Sequence, residues 1–192
     1  MPENEAERDG YNFIDLFAGA GGLSEGFIQA GFNPVTHVEM NEFAARTLTT
    51  RTAYYYLKEE DNLNLYYRYL RGEITRDEFL AEIPDEILDT VICETLSKKT
   101  IPGVFQTIDE ALERKHIDHV DVIVGGPPCQ AYSLVGRAQS SHMEIPMKDD
   151  PRNELYKLYA RLRLFIILNK LNWRLNHGKG FTQNNKYREI IA

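Results

Sequence analysis

Residues 13–22 read Phe13-Ile-Asp-Leu-Phe-Ala-Gly-Ala-Gly-Gly22, an apolar and β-favouring run that ends in a glycine-rich turn. A helix is predicted directly after this turn, over residues 23–30. A second strand is predicted over residues 34–39, and a second helix, capped by Asn41, over residues 42–50. Strictly alternating strands and helices favour an α/β fold with a parallel, doubly wound sheet.

The same alternation continues after an interruption. Residues 51–89 are rich in Tyr, Leu, Lys and Glu, and they predict a helical insertion of two or three helices. Further strands are predicted over residues 90–94 and 120–124, the latter being the clearest strand of the chain. The capping box Thr107-x-x-Glu110 predicts the start of a short helix. Asp150-Pro151 predicts another helix start, with the helix running to about residue 168.

The composition of the chain excludes several classes of protein. The chain has 192 residues, net charge −7 and two cysteines, too few for a disulfide scaffold or a four-cysteine zinc site. No apolar run approaches the roughly 20 residues that span a bilayer, and no secretory leader is recognisable, so we expect a cytoplasmic protein without membrane or metal. We expect one domain over residues 11–168 and an unassigned basic tail over 169–192, because residues 155–192 contain a single acid, Glu189.

An acidic residue follows the glycine-rich turn about twenty residues further along the chain. Glu39 lies twenty residues after Gly19, at the end of the second predicted strand, where a carboxylate can bind both hydroxyls of a ribose. The pair suggests an adenosine-containing cofactor. A dinucleotide site is the rival interpretation, but Ser24 occupies the place of the last glycine in that pattern. A tight turn that binds nothing is the other alternative.

A cysteine on a stiff loop suggests nucleophilic chemistry. Cys129 follows the strand predicted over residues 120–124, at the end where open α/β sheets bind ligands, and two prolines precede it. A thiol in such a place is a candidate nucleophile if its pKa is lowered. The alternative is a small buried hydrophobe, which remains our interpretation of Cys93.

Taken together, these stretches resemble the DNA cytosine-5 methyltransferase family. Residues 15–23, Asp15-Leu-Phe-Ala-Gly-Ala-Gly-Gly-Leu23, resemble its first S-adenosylmethionine-binding motif, and Val38-Glu-Met-Asn41 resembles the second. Gly125-Gly-Pro-Pro-Cys-Gln-Ala-Tyr-Ser133 is similar to the catalytic Pro-Cys motif. Asp150-Pro-Arg-Asn-Glu-Leu155 is similar to the segment that opens the next helix. The resemblance covers about residues 12–161 and implies a Rossmann-like fold that uses S-adenosylmethionine.

The resemblance implies roles for individual residues. Glu39 would bind the ribose hydroxyls, Met40 would pack on adenine, and Glu94 would meet the adenine amino group. Cys129 would add to cytosine C6, and the target base would be flipped out of duplex DNA. The cofactor-site residues implied are Phe17, Gly19, Gly21, Gly22, Glu39, Met40, Glu94 and Pro127. The DNA-contacting residues implied are Gln130, Ser133, Arg137 and Arg152.

The sequence also departs from the family. A Glu-Asn-Val motif, expected near position 174, is absent, as are the later arginine motif and the target-recognition domain. We therefore expect a fold incomplete at its carboxyl end and little activity from the chain alone. A split enzyme with a second chain and a truncated or frameshifted remnant remain open, as does a non-catalytic S-adenosylmethionine-binding module. A prokaryotic restriction–modification setting, close to the nucleoid, is implied for the intact enzyme.

Overall fold

A computed structural model describes residues 10–117, 119–126, 155, 157–161 and 164. These residues form a parallel sheet with helices, which confirms the predicted α/β class. The strands are β1 (Asn12–Leu16), β2 (Asn33–Glu39), β3 (Val91–Cys93) and β4 (Val122–Val124). The helices are α1 (Gly22–Gln29), α2 (Glu42–Glu59), α3 (Leu63–Leu70), α4 (Arg76–Leu80), α5 (Asp85–Leu88) and α6 (Ile101–Arg114).

The strands are ordered β3-β2-β1-β4, and each neighbouring pair runs parallel. β1 is therefore central, with β2 on one side and β4 on the other. Its register with β4 pairs Asp15 with Val124, and its register with β2 pairs Leu16 with Val38. Because all four strands point the same way, their carboxyl ends meet at one edge of the sheet.

Helices cover both faces of the sheet. Phe13 of β1 packs on Phe27 of α1, with ring centroids 5.4 Å apart. The alternate residues Ile14 and Leu16 instead belong to a buried cluster built mainly with α6. Successive side chains of a strand point to opposite faces, so α1 and α6 lie on opposite sides of β1.

The predicted insertion forms a second buried cluster. Ala53 and Leu57 of α2 pack with Phe79 and Ile83, and the partly buried tyrosines around them join the cluster. Tyr69 stacks on Phe79 with ring centroids 4.8 Å apart and planes 11° from parallel. This small core is what holds α3, α4 and α5 against α2.

Two predicted helix boundaries are wrong. The helix predicted over residues 42–50 continues to Glu59, because residues 51–59 contain no glycine or proline and Ala53 and Leu57 continue its buried face. The insertion therefore begins inside α2. Thr107 does not start a helix either: α6 begins at Ile101, and the Thr107 hydroxyl donates a hydrogen bond to the carbonyl of Gly103 one turn earlier.

The other predicted elements agree within about two residues. Asn41 caps α2 by accepting a hydrogen bond from the Ala44 amide at 3.0 Å. Leu155, residues 157–161 and Leu164 are helical, where the helix after Asp150-Pro151 was predicted, and Leu158 is buried in the main cluster. The start of that helix lies outside the described residues. None of the helices described is both long and apolar enough to cross a membrane.

Candidate functional site

The carboxyl edge of the sheet gathers the predicted site. β1, β2 and β3 end at Leu16, Glu39 and Cys93, and each is followed by a loop that carries a predicted cofactor residue. In open α/β sheets, ligands bind in the crevice outside this edge. β4 ends there too, and its next residues are Gly125 and Gly126 of the Pro-Cys segment.

The Glu39 carboxylate is hydrogen-bonded to two of these loops. Its Oε2 accepts a hydrogen bond from the backbone amide of Gly19, and its Oε1 accepts one from the amide of Asn41, both at 2.7 Å. The carboxylate is half-buried and fixed between the glycine-rich turn and the start of α2. Each carboxylate oxygen can accept a second hydrogen bond, so Glu39 can still bind a pair of hydroxyl groups.

The glycine-rich turn is built from left-handed backbone. Phe17, Gly19 and Gly21 have φ of 60°, 56° and 85°. A positive φ is unusual for an aromatic residue, so Phe17 is held in a costly conformation of the kind that clusters at ligand sites. A side chain added at Gly19 would meet no described atom within 4 Å, which leaves open space above the turn. Gly21 lies against Leu48 and precedes Gly22, the first residue of α1.

A buried acid that was not among the predicted site residues lies beneath this turn. Asp15 is fully buried and accepts a short hydrogen bond from the Ser24 hydroxyl of α1. Its Oδ1 has no hydrogen-bond partner among the described residues. Burial raises the pKa of Asp15 above its usual range, and the hydrogen bonds from Ser24 oppose that rise. The presence of an acidic residue within an otherwise apolar strand is the sequence feature that could have identified Asp15.

The structure brings most of the predicted cofactor residues to this edge. The Glu94 amide donates a hydrogen bond to the Glu39 carbonyl at 3.1 Å, so the two acids lie at the carboxyl ends of neighbouring strands. Met40 is 60% exposed, and Phe43, one turn further along the chain, is 75% exposed. Exposed apolar side chains beside a cleft are candidates for ligand contact. Phe43 was not predicted as a site residue, although the predicted helix start after Asn41 already placed it in the first turn of a helix.

The remaining predicted site residues fall outside the described part of the chain. They are Pro127, Cys129, Gln130, Ser133, Arg137 and Arg152. Their roles stay predictions. Within residues 10–117, 119–126 and the described positions beyond, no group of three or more His, Cys, Asp and Glu side chains could hold a metal ion.

Comparison with known proteins adds an independent finding. The model of the family described as C-5 cytosine-specific DNA methylase matches residues 11–69 and 80–186. The unmatched residues 70–79 lie inside the helical insertion. The match continues past Arg161, near which the quoted motifs end.

Curated relatives are type II methyltransferases. M.Bpa9945I of Bacillus paralicheniformis is 38% identical over 167 residues, covering 78% of this chain and 37% of that protein. M1.HphI of Haemophilus parahaemolyticus is 30% identical over 178 residues, covering 89% of this chain and 35% of that protein. M.DdeI of Desulfomicrobium norvegicum is 29% identical over 155 residues, covering 81% of this chain and 25% of that protein. The chain thus spans between a quarter and two fifths of their lengths. No solved structure matches it.

Proposed function

This chain belongs to the family of C-5 cytosine-specific DNA methylases, and from that premise we propose that it carries the cofactor-binding and nucleophile-bearing part of an enzyme that methylates cytosine at C5 in duplex DNA. The observation that supports the proposal most strongly is the placement of Glu39. Its carboxylate lies at the carboxyl end of β2, hydrogen-bonded to the glycine-rich turn that follows β1. That is the position from which an acid binds a ribose in an α/β sheet.

The residues at this edge fit S-adenosylmethionine. Glu39 would bind the ribose hydroxyls, and Met40 and Glu94 would contact the adenine. Phe17, Gly19, Gly21 and Gly22 would line the rest of the cofactor, with open space above Gly19 for close approach. Pro127 would close the site from the segment after β4. When bound, S-adenosylmethionine supplies an electrophilic methyl group on a sulfonium.

Topology supports a shared site for cofactor and nucleophile. β4 pairs directly with β1, and Cys129 is five residues beyond Val124, the last residue of β4. The glycine-rich turn is three residues beyond Leu16 at the end of β1. Loops that follow adjacent parallel strands emerge side by side, so the thiol would stand next to the cofactor loop.

The proposed chemistry rests on Cys129. Cytosine C5 is a weak nucleophile, and the Cys129 thiolate would form a bond to C6, which pushes electron density onto C5. C5 then forms a bond to the methyl carbon as the bond from that carbon to sulfur breaks, and the sulfur leaves as a neutral thioether. Release of the C5 proton to solvent and departure of the thiolate from C6 restore the aromatic ring. The thiolate is regenerated, so no oxidant or reductant is needed.

DNA contacts belong to the segment around the nucleophile. A stacked cytosine cannot reach a thiol in a cleft, so the base would be flipped out of the duplex. Gln130 and Ser133 would contact the DNA around the vacated position. Arg137 and Arg152 would contact phosphate or base edges.

Transfer also requires activation of the cytosine at N3 and recognition of a DNA site. The 192 residues contain no Glu-Asn-Val sequence, whose glutamate would activate the cytosine at N3. We therefore propose that transfer needs further residues, whether in the same polypeptide or in a second chain. Alone, the chain would bind S-adenosylmethionine without methylating DNA, which is also the behaviour of a non-catalytic binding module. The enzyme would act in the cytoplasm, at the nucleoid, within a restriction–modification system.

A transfer assay tests the catalytic proposal. The chain would be produced together with the residues of the Bacillus paralicheniformis relative that the match does not cover, and tritium from labelled S-adenosylmethionine would be counted in DNA. We expect Cys129→Ser to reduce transfer by at least about a thousandfold, because the covalent route is lost. Cys93→Ser is the matched control. The prediction that Cys93 is buried was wrong, because it is exposed at the end of β3, and this variant should transfer normally.

A covalent trap separates the possible outcomes. In 5-fluorocytosine DNA the fluorine cannot leave as the proton does, so the protein should stay attached to the DNA through Cys129. Transfer at the normal rate by Cys129→Ser would contradict the mechanism. Cofactor binding with neither transfer nor a trapped adduct would favour the non-catalytic module.

A further inference from the structure

A cavity lies between α1 and α2, over β2. Its volume is about 700 Å³, within the roughly 300–1,000 Å³ of small-molecule sites. It extends from Ser24 on α1 to Asn33 and Pro34, where β2 begins. Asn33 and Pro34 lie at the amino end of β2, whereas the cofactor residues lie at the carboxyl ends of the strands. Of the described residues assigned to the cofactor site, Gly21 alone also lines the cavity.

The walls of this α1–α2 cavity are largely apolar. Ile28 and Phe32 line it from the α1 side, Leu48 from α2, and Ile87 from α5. Hydroxyl groups from Thr52, Tyr55 and Thr90 are spaced among these side chains. An apolar lining with a few polar groups is the usual composition of a site for a small organic molecule.

One buried polar side chain on the wall lacks a partner. His37 of β2 lines the cavity and is only 4% exposed. Its Nδ1 has no hydrogen-bond partner within the part of the chain that the structure describes. A buried polar atom without a partner is destabilising, and a hydrogen bond from a ligand donor would relieve that cost. Burial lowers the pKa of His37 to about 4, so the ring is neutral at pH 7 and one of its nitrogens is an acceptor.

The charged groups around the cavity are already engaged. Arg51 forms an ion pair with Glu25 at 2.5 Å, and the Tyr55 hydroxyl donates to the same carboxylate at 2.6 Å. Lys115 Nζ donates to the carbonyl of Pro34 at 2.8 Å. Glu59 also has an interaction partner. The acids Glu25 and Glu59 balance the cations Arg51 and Lys115, so the lining carries no net formal charge that would favour an ionic ligand.

We propose that the α1–α2 cavity binds an uncharged aromatic small molecule that donates one hydrogen bond to His37. The apolar walls take the ring, and His37 Nδ1 accepts the single N–H or O–H. The site is distinct from the cofactor edge, although Gly21 and Ser24 connect the two. Gly21 lines the cavity and belongs to the glycine-rich turn, and Ser24 lines the cavity and donates to Asp15 beneath that turn. The inference does not depend on the proposed function.

Indole and 1-methylindole form a matched pair of probes, because they differ only in the N–H donor. Titrating each into the 192-residue chain by calorimetry, we expect saturable binding, with indole about fivefold tighter. That ratio corresponds to one neutral hydrogen bond of about 1 kcal/mol. In His37→Phe, which keeps a ring but removes the acceptor, the two probes should bind equally. No saturable binding of indole, or equal binding of both probes to the unmodified chain, would overturn the proposal.

Two variants that fill the cavity with a larger side chain test whether indole binds there. Thr52→Trp and Ile28→Trp place an indole ring in the cavity from opposite walls, and either one that keeps its helical circular dichroism should lose indole binding. Thr47→Trp is the matched control, because Thr47 lies on the same helix, is exposed and does not line the cavity. S-adenosylhomocysteine should not displace indole. Binding that survives in a folded filling variant, or that S-adenosylhomocysteine abolishes, would place the probe elsewhere and refute the inference.

Discussion

His37 shows how one side chain couples folding to pH. It is buried at 4% exposure in β2, edge-on to the Phe13 ring, and burial lowers its pKa to about 4 from the usual 6.5. In the unfolded chain it binds a proton as pH falls through about 6.5, whereas in the folded protein it stays neutral. Protons therefore favour the unfolded state between these values, and stability from this group is lost as pH falls.

We expect the free energy of unfolding to drop by about 2 kcal/mol more in the unmodified chain than in His37→Phe between pH 7.5 and pH 5. The cause is that the variant has no imidazole to protonate on unfolding. Urea unfolding at a series of pH values, followed by circular dichroism, measures the difference. Two curves that stay parallel across this range would show that His37 titrates normally.

At the scale of elements, the pairing of β4 with β1 depends on Gly125. This glycine follows Val124 with φ of 129°, and a Cβ added there would lie 1.8 Å from the carbonyl oxygen of Leu16. No atom of a side chain can occupy that position without moving the backbone of β1 or β4. The glycine is therefore needed for the close approach of the two strands, in addition to its place in the Pro-Cys motif.

Gly125→Ala should lower the free energy of unfolding by more than about 2 kcal/mol, because both the φ and the contact with β1 resist a side chain. Gly126→Ala is the control: it is the next residue, and a Cβ there would meet no described atom within 4 Å. Urea denaturation of both variants gives the comparison. Equal stabilities would mean that β4 does not approach β1 this closely.

The sequence predicts that a helix is present better than it predicts the residue at which the helix begins or ends. Helix α6 shows the physical reason. Thr107-x-x-Glu110 is a valid capping sequence, yet the Thr107 hydroxyl bonds inside α6, since Ile101, Val104 and Phe105 already bury the preceding turn. The capping box at Thr75 and Glu78 does begin a helix, α4. A capping sequence marks a helix start only where no buried helical face precedes it, and burial is decided by the fold.

At the scale of the whole molecule, local chemistry was predictable and long-range placement was not. The strand–turn–helix around Gly19 and the acid at Glu39 could be read from spacing, and the parallel sheet from the alternation of elements. The direct pairing of β4 with β1, across more than 100 residues, could not. Nor could the burial of Asp15 or the cavity beside His37, because both arise from contacts between distant segments.

A cofactor site at the carboxyl edge of this sheet is the basis of the proposed function, and calorimetric titration with S-adenosylmethionine tests that site most directly. The 192-residue chain should bind with saturable heat. Glu39→Ala should bind at least about tenfold more weakly, because hydrogen bonds to a carboxylate contribute about 1.5–3 kcal/mol each. Glu42→Ala, an exposed acid three residues away, should bind normally. Absence of binding by the unmodified chain, or undiminished binding by Glu39→Ala, would contradict the proposed cofactor site.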